Sequence, residues 1–120
     1  VDAPSGTALR MGEVVARATP DGPNERTGEQ FLGATIGDHV KTAICTRLFT
    51  GCVLHTGSMF ASTAAVSGCV PAFSWVTDEG RRGYRFDKFA DVMRAAMSRR
   101  KVTPGPAYLN AIERLHARSR

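Results

Sequence analysis

The chain has an odd number of cysteines, has no long apolar run, and carries no motif of a nucleic-acid-binding family. Its 120 residues include no stretch of 18 or more apolar residues, so no transmembrane helix is predicted. No basic, apolar, small-residue signal peptide opens the chain. The three cysteines, Cys45, Cys52 and Cys69, are an odd number and lack metal-ligand spacing, so no metal site is predicted. These absences favour a reduced, cytoplasmic protein with no membrane segment.

Positive charge is the main excess of the composition. The formal net charge is +5 and the sequence pI is about 9.6. The basic residues gather toward the C-terminal end: Arg94, Arg99, Arg100, Lys101, Arg114, Arg118 and Arg120. Such an end can attract a phosphorylated ligand, a membrane surface or nucleic acid, or it can be the solvated face of helices. Because these C-terminal basic residues are not interleaved with aromatic ones, a nucleic-acid partner is not expected.

A six-residue period runs from Gln30 to Met59. The segment divides into the five units QFLGAT, IGDHVK, TAICTR, LFTGCV and LHTGSM, and Phe60 opens a sixth. The fifth position of every unit is compact: Ala34, Val40, Thr46, Cys52 and Ser58. The first position is aliphatic in three of them: Ile36, Leu48 and Leu54. One apolar and one small inward position in every six residues is typical of a parallel β-helix of hexapeptide repeats.

We therefore expect a mainly β fold, a short left-handed parallel β-helix with a C-terminal α-helical cap. The alternative interpretation is an antiparallel β domain with glycine turns. Five units make fewer than two triangular coils, which is too few to bury a continuous core alone. The chain, which starts at Val1, is thus expected to be a fragment completed by a missing upstream domain, or to pack as a homotrimer.

Three regions are expected along the chain. They are an N-terminal helix and turn-rich segment (1–28), the hexapeptide coils (29–62), and a strap followed by a two-helix cap (63–120). The N-terminal helix is indicated by the spacing of Ala8, Met11, Val15 and Ala18, and it must end before Pro20.

The two C-terminal helices are indicated by a change of period to 3.6. The apolar face of the first consists of Phe86, Phe89, Ala90, Met93, Ala96 and Met97. The second is expected to have Thr103 as N-cap and Pro104 at its first position. Its predicted apolar face consists of Tyr108, Ala111, Ile112 and Leu115.

Three stretches resemble a known C-terminal region: TGEQFLGATIGDHVKTAICTRLFTG (27–51), PAFSW (71–75) and YRFDK (84–88). The region is the left-handed β-helix of bacterial sugar-1-phosphate nucleotidyltransferase-like proteins, relatives of the bifunctional N-acetylglucosamine-1-phosphate uridyltransferase/glucosamine-1-phosphate acetyltransferase. The resemblance implies acetyl-CoA-dependent transfer of an acyl group to an amino-sugar phosphate, and a trimer held by the β-helix. The nucleotidyltransferase domain of that family is not in this chain, so the resemblance implies an incomplete transferase.

A second resemblance lies at the N-terminus. The stretch VDAPSGTALRMGE (1–13) is similar to the substrate-binding motif KxDAPSGTAL of dihydrodipicolinate reductase. The similarity implies that Ser5, Gly6 and Thr7 cradle a substrate carboxylate at a helix N-terminus. The alternative functions are therefore a reductase remnant that binds a dicarboxylate, or a module that only drives trimerisation.

Among residues that could carry chemistry, His39 is the candidate general base, since the pKa of histidine lies near neutral pH. The interpretation without chemistry is a solvent-exposed or interface histidine. Lys41 and Arg47 occupy the sixth positions of successive units, and they are the candidates for binding the phosphates of acetyl-CoA or of a sugar phosphate. His55 lies near His39 in the expected coils, but no third metal ligand is evident. Cys45 is expected to be a structural thiol.

Overall fold

The computed structural model describes residues 13–30 and 32–119. These residues contain nine short strands and two helices. The strands are β1 (Val15–Ala16), β2 (Glu25–Arg26), β3 (Thr35–Ile36), β4 (Lys41–Thr42), β5 (Val53–Leu54), β6 (Met59–Ala61), β7 (Cys69–Val70), β8 (Ser74–Thr77) and β9 (Gly80–Gly83). The helices are α1 (Phe86–Ser98) and α2 (Pro106–Arg118). Neither helix is long and apolar enough to cross a membrane, and the described part of the chain has no other helix.

The strands form three small sheets. Strands β1 and β2 pair in an antiparallel hairpin, β3, β5 and β7 form a parallel sheet in that order, and β4, β6, β8 and β9 form a mixed sheet. In the mixed sheet only the last pair, β8 with β9, is antiparallel. An isolated parallel bridge joins Leu48 to Val66.

The prediction of a mainly β, left-handed parallel β-helix is wrong. The described residues are 25% helix and 24% strand, and their sheets mix parallel with antiparallel pairs. The parallel partners are 18 residues apart in the first step (Thr35 with Val53), but 16 apart in the next (Val53 with Cys69). The corner between Val66 and Cys69 is two residues shorter than the corner between Leu48 and Val53, so the six-residue period does not continue. The chain then turns back after Thr77 as an antiparallel hairpin.

The alternative of an antiparallel domain does not describe this segment either, since every strand pair between residues 35 and 77 is parallel. Burial follows the six-residue pattern at Cys52, Leu54, Ser58 and Phe60, which are all buried. It does not follow the pattern at Ile36, which is 52% exposed because β3 is the first strand of its sheet.

The mixed sheet separates two apolar clusters, because successive side chains of a strand point to opposite faces. Phe60 and Val76, which are partners in the register, face the cluster among the strands. We call this the strand cluster, and its buried members are Cys52, Leu54, Phe60, Val66 and Val70. Met59 and Trp75, partners in the adjacent row, face the helices. We call that group the helix cluster, and its buried members are Phe73, Tyr84, Phe89, Met93 and Ile112.

Helix α1 confirms the prediction made from its period. It begins at Phe86, and its buried residues Phe89, Ala90 and Met93 all belong to the predicted apolar face. The Asp87 carboxylate lies in the first turn, where it interacts favourably with the helix dipole.

Helix α2 begins two residues later than predicted. Gly105 is its N-cap and Pro106 its first residue, in place of Thr103 and Pro104. Its buried side is also rotated: Ile112 is buried with Leu109 beside it, whereas Leu115 is 42% exposed.

The helix expected to contain Val15 and Ala18 is not found in the part that the structure describes. Val15 lies in β1, which pairs with β2 across the turn-rich residues 17–24. The hairpin packs its buried Val14 against Gly51, where a methyl group added to the glycine would lie 2.7 Å from the Val14 side chain. Residues 1–12, with the other positions of the expected helix, lie outside the described residues.

A column of three corners precedes strands β4, β6 and β8, and each has one residue with positive φ. These residues are His39 (φ 60°), Gly57 (φ 78°) and Phe73 (φ 53°). The column is stacked by backbone hydrogen bonds, since Gly57 N–H donates to Asp38 O at 2.9 Å and Phe73 N–H to Thr56 O at 2.9 Å. The side chains of His39 and Phe73 are thereby directed toward the helices.

Candidate functional site

His39, the predicted general base, is half-buried between its corner and both helices. Its Nε2 lies 2.5 Å from the Tyr108 hydroxyl of α2, and its ring meets the edge of Phe89 at a centroid distance of 5.9 Å. Burial lowers the pKa of His39, the nearby positive charge of Lys41 lowers it further, and Asp38 opposes both. The geometry gives His39 a clear packing role, in which it ties the corner to α2. Its catalytic role stays a prediction.

Lys41 and Arg47 are not brought together with each other in a common cleft. Lys41 begins β4, the first strand of the mixed sheet, and is half-buried close to His39. Arg47 lies in a different corner, where its exposed side chain donates to Thr63 O at 3.1 Å. Neither residue lines the two clefts described below.

The other predicted positions hold no constellation of reactive groups. His55 Nε2 lies 2.8 Å from Ala18 O, which joins the N-terminal hairpin to the parallel strands. Cys45 is exposed at a corner with φ 63°. Within residues 13–30 and 32–119, no group of three or more His, Cys, Asp or Glu side chains is placed to hold a metal ion. Ser5, Gly6 and Thr7 lie outside the described residues.

A cleft of about 500 Å³ lies beside the junction between β9 and α1, and cationic residues line it. We call it the cationic cleft. Its lining consists of Trp75, Thr77, Glu79, Arg82, Gly83, Arg85 and Lys88. Trp75 and Arg82 are directly opposite in the β8–β9 register, so their side chains share one face of the sheet. The half-buried Trp75 ring is held by an edge-to-face contact with Tyr84 at 5.0 Å.

The first turn of α1 completes the cationic cleft. Arg85 is the N-cap of the helix, and Lys88 follows on the first turn. The Arg85 Nη2 lies 2.8 Å from the Asp87 carboxylate, with the two side chains 73% and 61% exposed. An ion pair this exposed contributes little to stability, about 0–1 kcal/mol. The Arg85 guanidinium can therefore exchange this partner for a ligand anion at small cost.

A second cleft, of about 530 Å³, shares Gly83 and Arg85 with the first and lies against α2. We call it the His116 cleft. Its walls are aromatic, and its polar groups include Arg81, Asp87, Glu113 and His116. Arg81 and Arg82 are neighbours on β9, so their side chains leave the strand on opposite faces. Arg81 leaves on the face of its register partner Val76, its Nη1 lies 3.3 Å from Ser74 Oγ, and it lines the His116 cleft at the edge of the sheet.

The sequence prediction missed His116 as well as the arginines of β9. The available signal was spacing: Leu109, Ile112 and His116 recur at helical intervals, which places His116 on the same side of α2 as the buried Ile112. The clefts themselves could not be read from the sequence, since the cationic cleft depends on where α1 packs against β8 and β9, and the His116 cleft also depends on where α2 packs.

Comparison with protein-family models, with curated proteins and with solved structures finds no match to this chain.

Proposed function

We propose that the protein binds a nucleotide-containing phosphorylated ligand in the cationic cleft, and that the ligand is an acyl-CoA. The observation that carries the proposal is the pairing of Trp75 with Arg82 across β8 and β9, beside Arg85 and Lys88. This arrangement supplies a flat aromatic surface next to three cations, which are the two features that a nucleotide needs.

Trp75 supports the recognition of the base. Stacking of a nucleobase on an aromatic side chain contributes about 1–3 kcal/mol and tolerates any base, because every base has a π-face. The edge contact with Tyr84 fixes the indole ring in place, so little side-chain entropy is lost when a base stacks on it.

The charges support the recognition of phosphates. Arg82, Arg85 and Lys88 face a single carboxylate, Glu79, within the cleft. Guanidinium groups bind phosphate oxygens through paired hydrogen bonds, and a lysine ammonium adds a point charge. The net charge of +5 on the chain also favours association with an anionic ligand.

The acyl-CoA is proposed in preference to other nucleotides because the sequence resemblance implies acyl transfer to an amino-sugar phosphate. The phosphates are assigned to Arg82, Arg85 and Lys88 in place of Lys41 and Arg47, since only the first three line one cleft. The cytoplasmic location expected from the cysteine content belongs to the same proposal.

Fluorescence tests the proposal directly, because Trp75 is the single tryptophan of the chain and lines the cleft. Titration with coenzyme A is expected to change the Trp75 emission in a saturable way. Uridine diphosphate-N-acetylglucosamine and inorganic phosphate serve as comparison ligands, and both are expected to bind at least tenfold more weakly. Equal binding of the sugar nucleotide would retain the nucleotide site but overturn the assignment to acyl-CoA.

The variants Arg82→Ala and Lys88→Ala are each expected to raise the Kd for coenzyme A about tenfold, which corresponds to about 1.4 kcal/mol. Arg94→Ala is the matched control, since Arg94 is an exposed cation on the same helix but does not line the cleft. The proposal is contradicted if coenzyme A leaves the Trp75 emission of the folded protein unchanged. It is also contradicted if Arg94→Ala raises the Kd for coenzyme A as much as Arg82→Ala and Lys88→Ala do.

The alternative function, an assembly module, is favoured by one observation. Strands β3 and β4 are edge strands of their sheets, and the exposed Ile36 and Ile44 (52% and 94%) lie in and beside them. A trimer in sedimentation equilibrium that dissociates in the Ile36→Lys, Ile44→Lys double variant would support this alternative. A monomer at all concentrations would exclude it.

A further inference from the structure

The His116 cleft is not used by the proposed nucleotide site, and its charge differs from that of the cationic cleft. Arg81 and Arg85 line it together with Asp87 and Glu113, so its cations and carboxylates are equal in number. A site of balanced charge does not favour a simple anion. It favours a ligand that itself carries both signs of charge, with each end paired to its opposite.

The His116 ring is held in one orientation. Its Nε2 lies 2.7 Å from the Tyr84 carbonyl oxygen, and the ring contacts Phe73 and Phe86 at centroid distances of 5.1 and 5.4 Å. A carbonyl oxygen only accepts, so Nε2 carries the proton of this hydrogen bond. In the neutral ring Nδ1 is then the acceptor.

Aromatic side chains form the walls of the same cleft. Phe73, Tyr84 and Phe86 line it beside the charged groups. Apolar walls lower the local dielectric, which strengthens ion pairs formed between the cleft and a ligand. A small ligand with an apolar or ring-shaped middle and charged ends suits such a lining.

We propose that the His116 cleft binds a small zwitterion that carries a primary ammonium group and a phosphate or carboxylate. The anionic end pairs with the Arg81 guanidinium, of which one nitrogen, Nη1, lies 3.3 Å from Ser74 Oγ. The ammonium group pairs with the Glu113 carboxylate and donates a hydrogen bond to His116 Nδ1. The site stands independently of the nucleotide site, although Gly83 and Arg85 are common to both clefts.

The test follows the His116 ring by NMR in the full chain. The chain has only three histidines, so His39 and His55 serve as internal controls in the same spectrum. O-phosphoethanolamine and β-alanine are the zwitterionic probes with phosphate and carboxylate, and they decide between the two anionic groups. Ethanolamine, ethyl phosphate and propionate carry one end each.

At least one zwitterionic probe is expected to shift the His116 resonances in a saturable way, while those of His39 and His55 stay in place. The single-ended probes are expected to bind at least tenfold more weakly. Equal affinity of O-phosphoethanolamine and ethyl phosphate, or of β-alanine and propionate, would overturn the two-ended site, as would the absence of any His116 shift.

Two neighbouring arginines give a reciprocal control. Arg81→Ala is expected to weaken zwitterion binding at least tenfold and to leave the fluorescence titration with coenzyme A unchanged, while Arg82→Ala is expected to do the reverse. Glu113→Gln should also weaken the zwitterion, whereas Glu79→Gln, in the cationic cleft, should not. Equal losses in Arg81→Ala and Arg82→Ala would overturn the separate site, and a failed coenzyme A titration with intact zwitterion binding would overturn only the nucleotide proposal.

Discussion

The strand cluster and the helix cluster lie on opposite faces of the same mixed sheet, but they are built differently. The strand cluster is mainly aliphatic, and the parallel backbone hydrogen bonds of the surrounding strands set its positions. The helix cluster is aromatic, and its order comes from edge-to-face contacts, such as Phe73 with Phe89 at 4.9 Å and Tyr84 with Phe89 at 5.7 Å. Side chains direct the packing on one face and the backbone directs it on the other.

The two clusters also differ in the polar groups beside them. Near the strand cluster, side-chain hydroxyls bond to backbone carbonyl oxygens: the buried Ser58 Oγ lies within hydrogen-bond distance of the His55 and Pro71 carbonyl oxygens, and Ser74 Oγ donates to Pro71 O. On the helix side, His116 keeps one ring nitrogen as an acceptor, and both clefts open beside the aromatic rings. Ligand-binding groups thus collect where packed side chains, and not strand ladders, fill the space.

The largest effect is expected from the strand cluster itself. Phe60→Ala removes a side chain that is 2% exposed and should lower the free energy of unfolding by about 3–5 kcal/mol, through lost burial and a residual cavity. Ile44→Ala, at a position 94% exposed, is the control and should change it by less than about 0.5 kcal/mol. Urea unfolding followed by far-UV circular dichroism and by Trp75 fluorescence checks this.

Both signals should move to lower urea together in Phe60→Ala, because Phe60 lies in the strand that pairs with the strand of Trp75. If the fluorescence transition of Phe60→Ala stays at the urea concentration of the unsubstituted protein, the two clusters unfold independently and this prediction is wrong.

A smaller effect is expected at the corner that joins the two clusters. In Gly57→Ala the new methyl group would lie 2.6 Å from the Phe73 ring and 3.2 Å from the Phe89 ring, at φ 78°. Strain at positive φ costs about 1–2 kcal/mol and crowding about 1–3 kcal/mol, so a loss of about 2–5 kcal/mol is expected. Gly68→Ala has nearly the same φ, 75°, with nothing within 4 Å, and should lose only about 1–2 kcal/mol. Equal losses in urea unfolding would show that the rings yield to the methyl group.

The smallest effect concerns His39 at the edge of the helix cluster. Burial lowers the pKa of His39 in the folded protein, so the unfolded chain binds its proton more readily. The stability contributed by the neutral ring is fully present above the ordinary histidine pKa. It is lost as the pH falls through that value toward the lowered one.

The free energy of unfolding should therefore fall between about pH 7.5 and pH 5.5, where histidine titrates. His39→Gln should reduce this fall, because it removes the group whose pKa is lowered by burial. An unchanged pH dependence of the free energy of unfolding in His39→Gln would show that His39 does not cause it.

What the sequence can predict depends on how local the interactions are. The prediction of helix α1 is correct because the spacing of Phe89 and Met93 alone determines its buried face. The predicted start of α2 is two residues early, since Pro104 and Pro106 are both suited to a first helical turn and the structure uses the second. The prediction of a helix at Val15 is wrong, since Val15 pairs with Arg26 across a hairpin. The spacing of apolar residues in the sequence does not reveal such a pairing.

The candidate site is less predictable because it depends on distant segments. His39 stands out as a histidine in a corner, but only the fold places the Tyr108 hydroxyl, 69 residues later, against its ring. The regular β-helix is inferred from five units, and the shorter corner before Cys69 ends that regularity. No local pattern shows that Arg81 and Glu113 line one cleft.

The corner column has a consequence for how this protein tolerates sequence change. Gly57 is required less by its own backbone than by its neighbour, since the Phe73 ring occupies the volume that any larger residue would fill. The two positions are therefore epistatic, and a substitution at 57 that is harmful beside phenylalanine becomes milder once residue 73 is small. Trimming the Phe73 ring has a cost of its own, because Phe73 is buried in the helix cluster, so either order of change passes through a destabilised sequence.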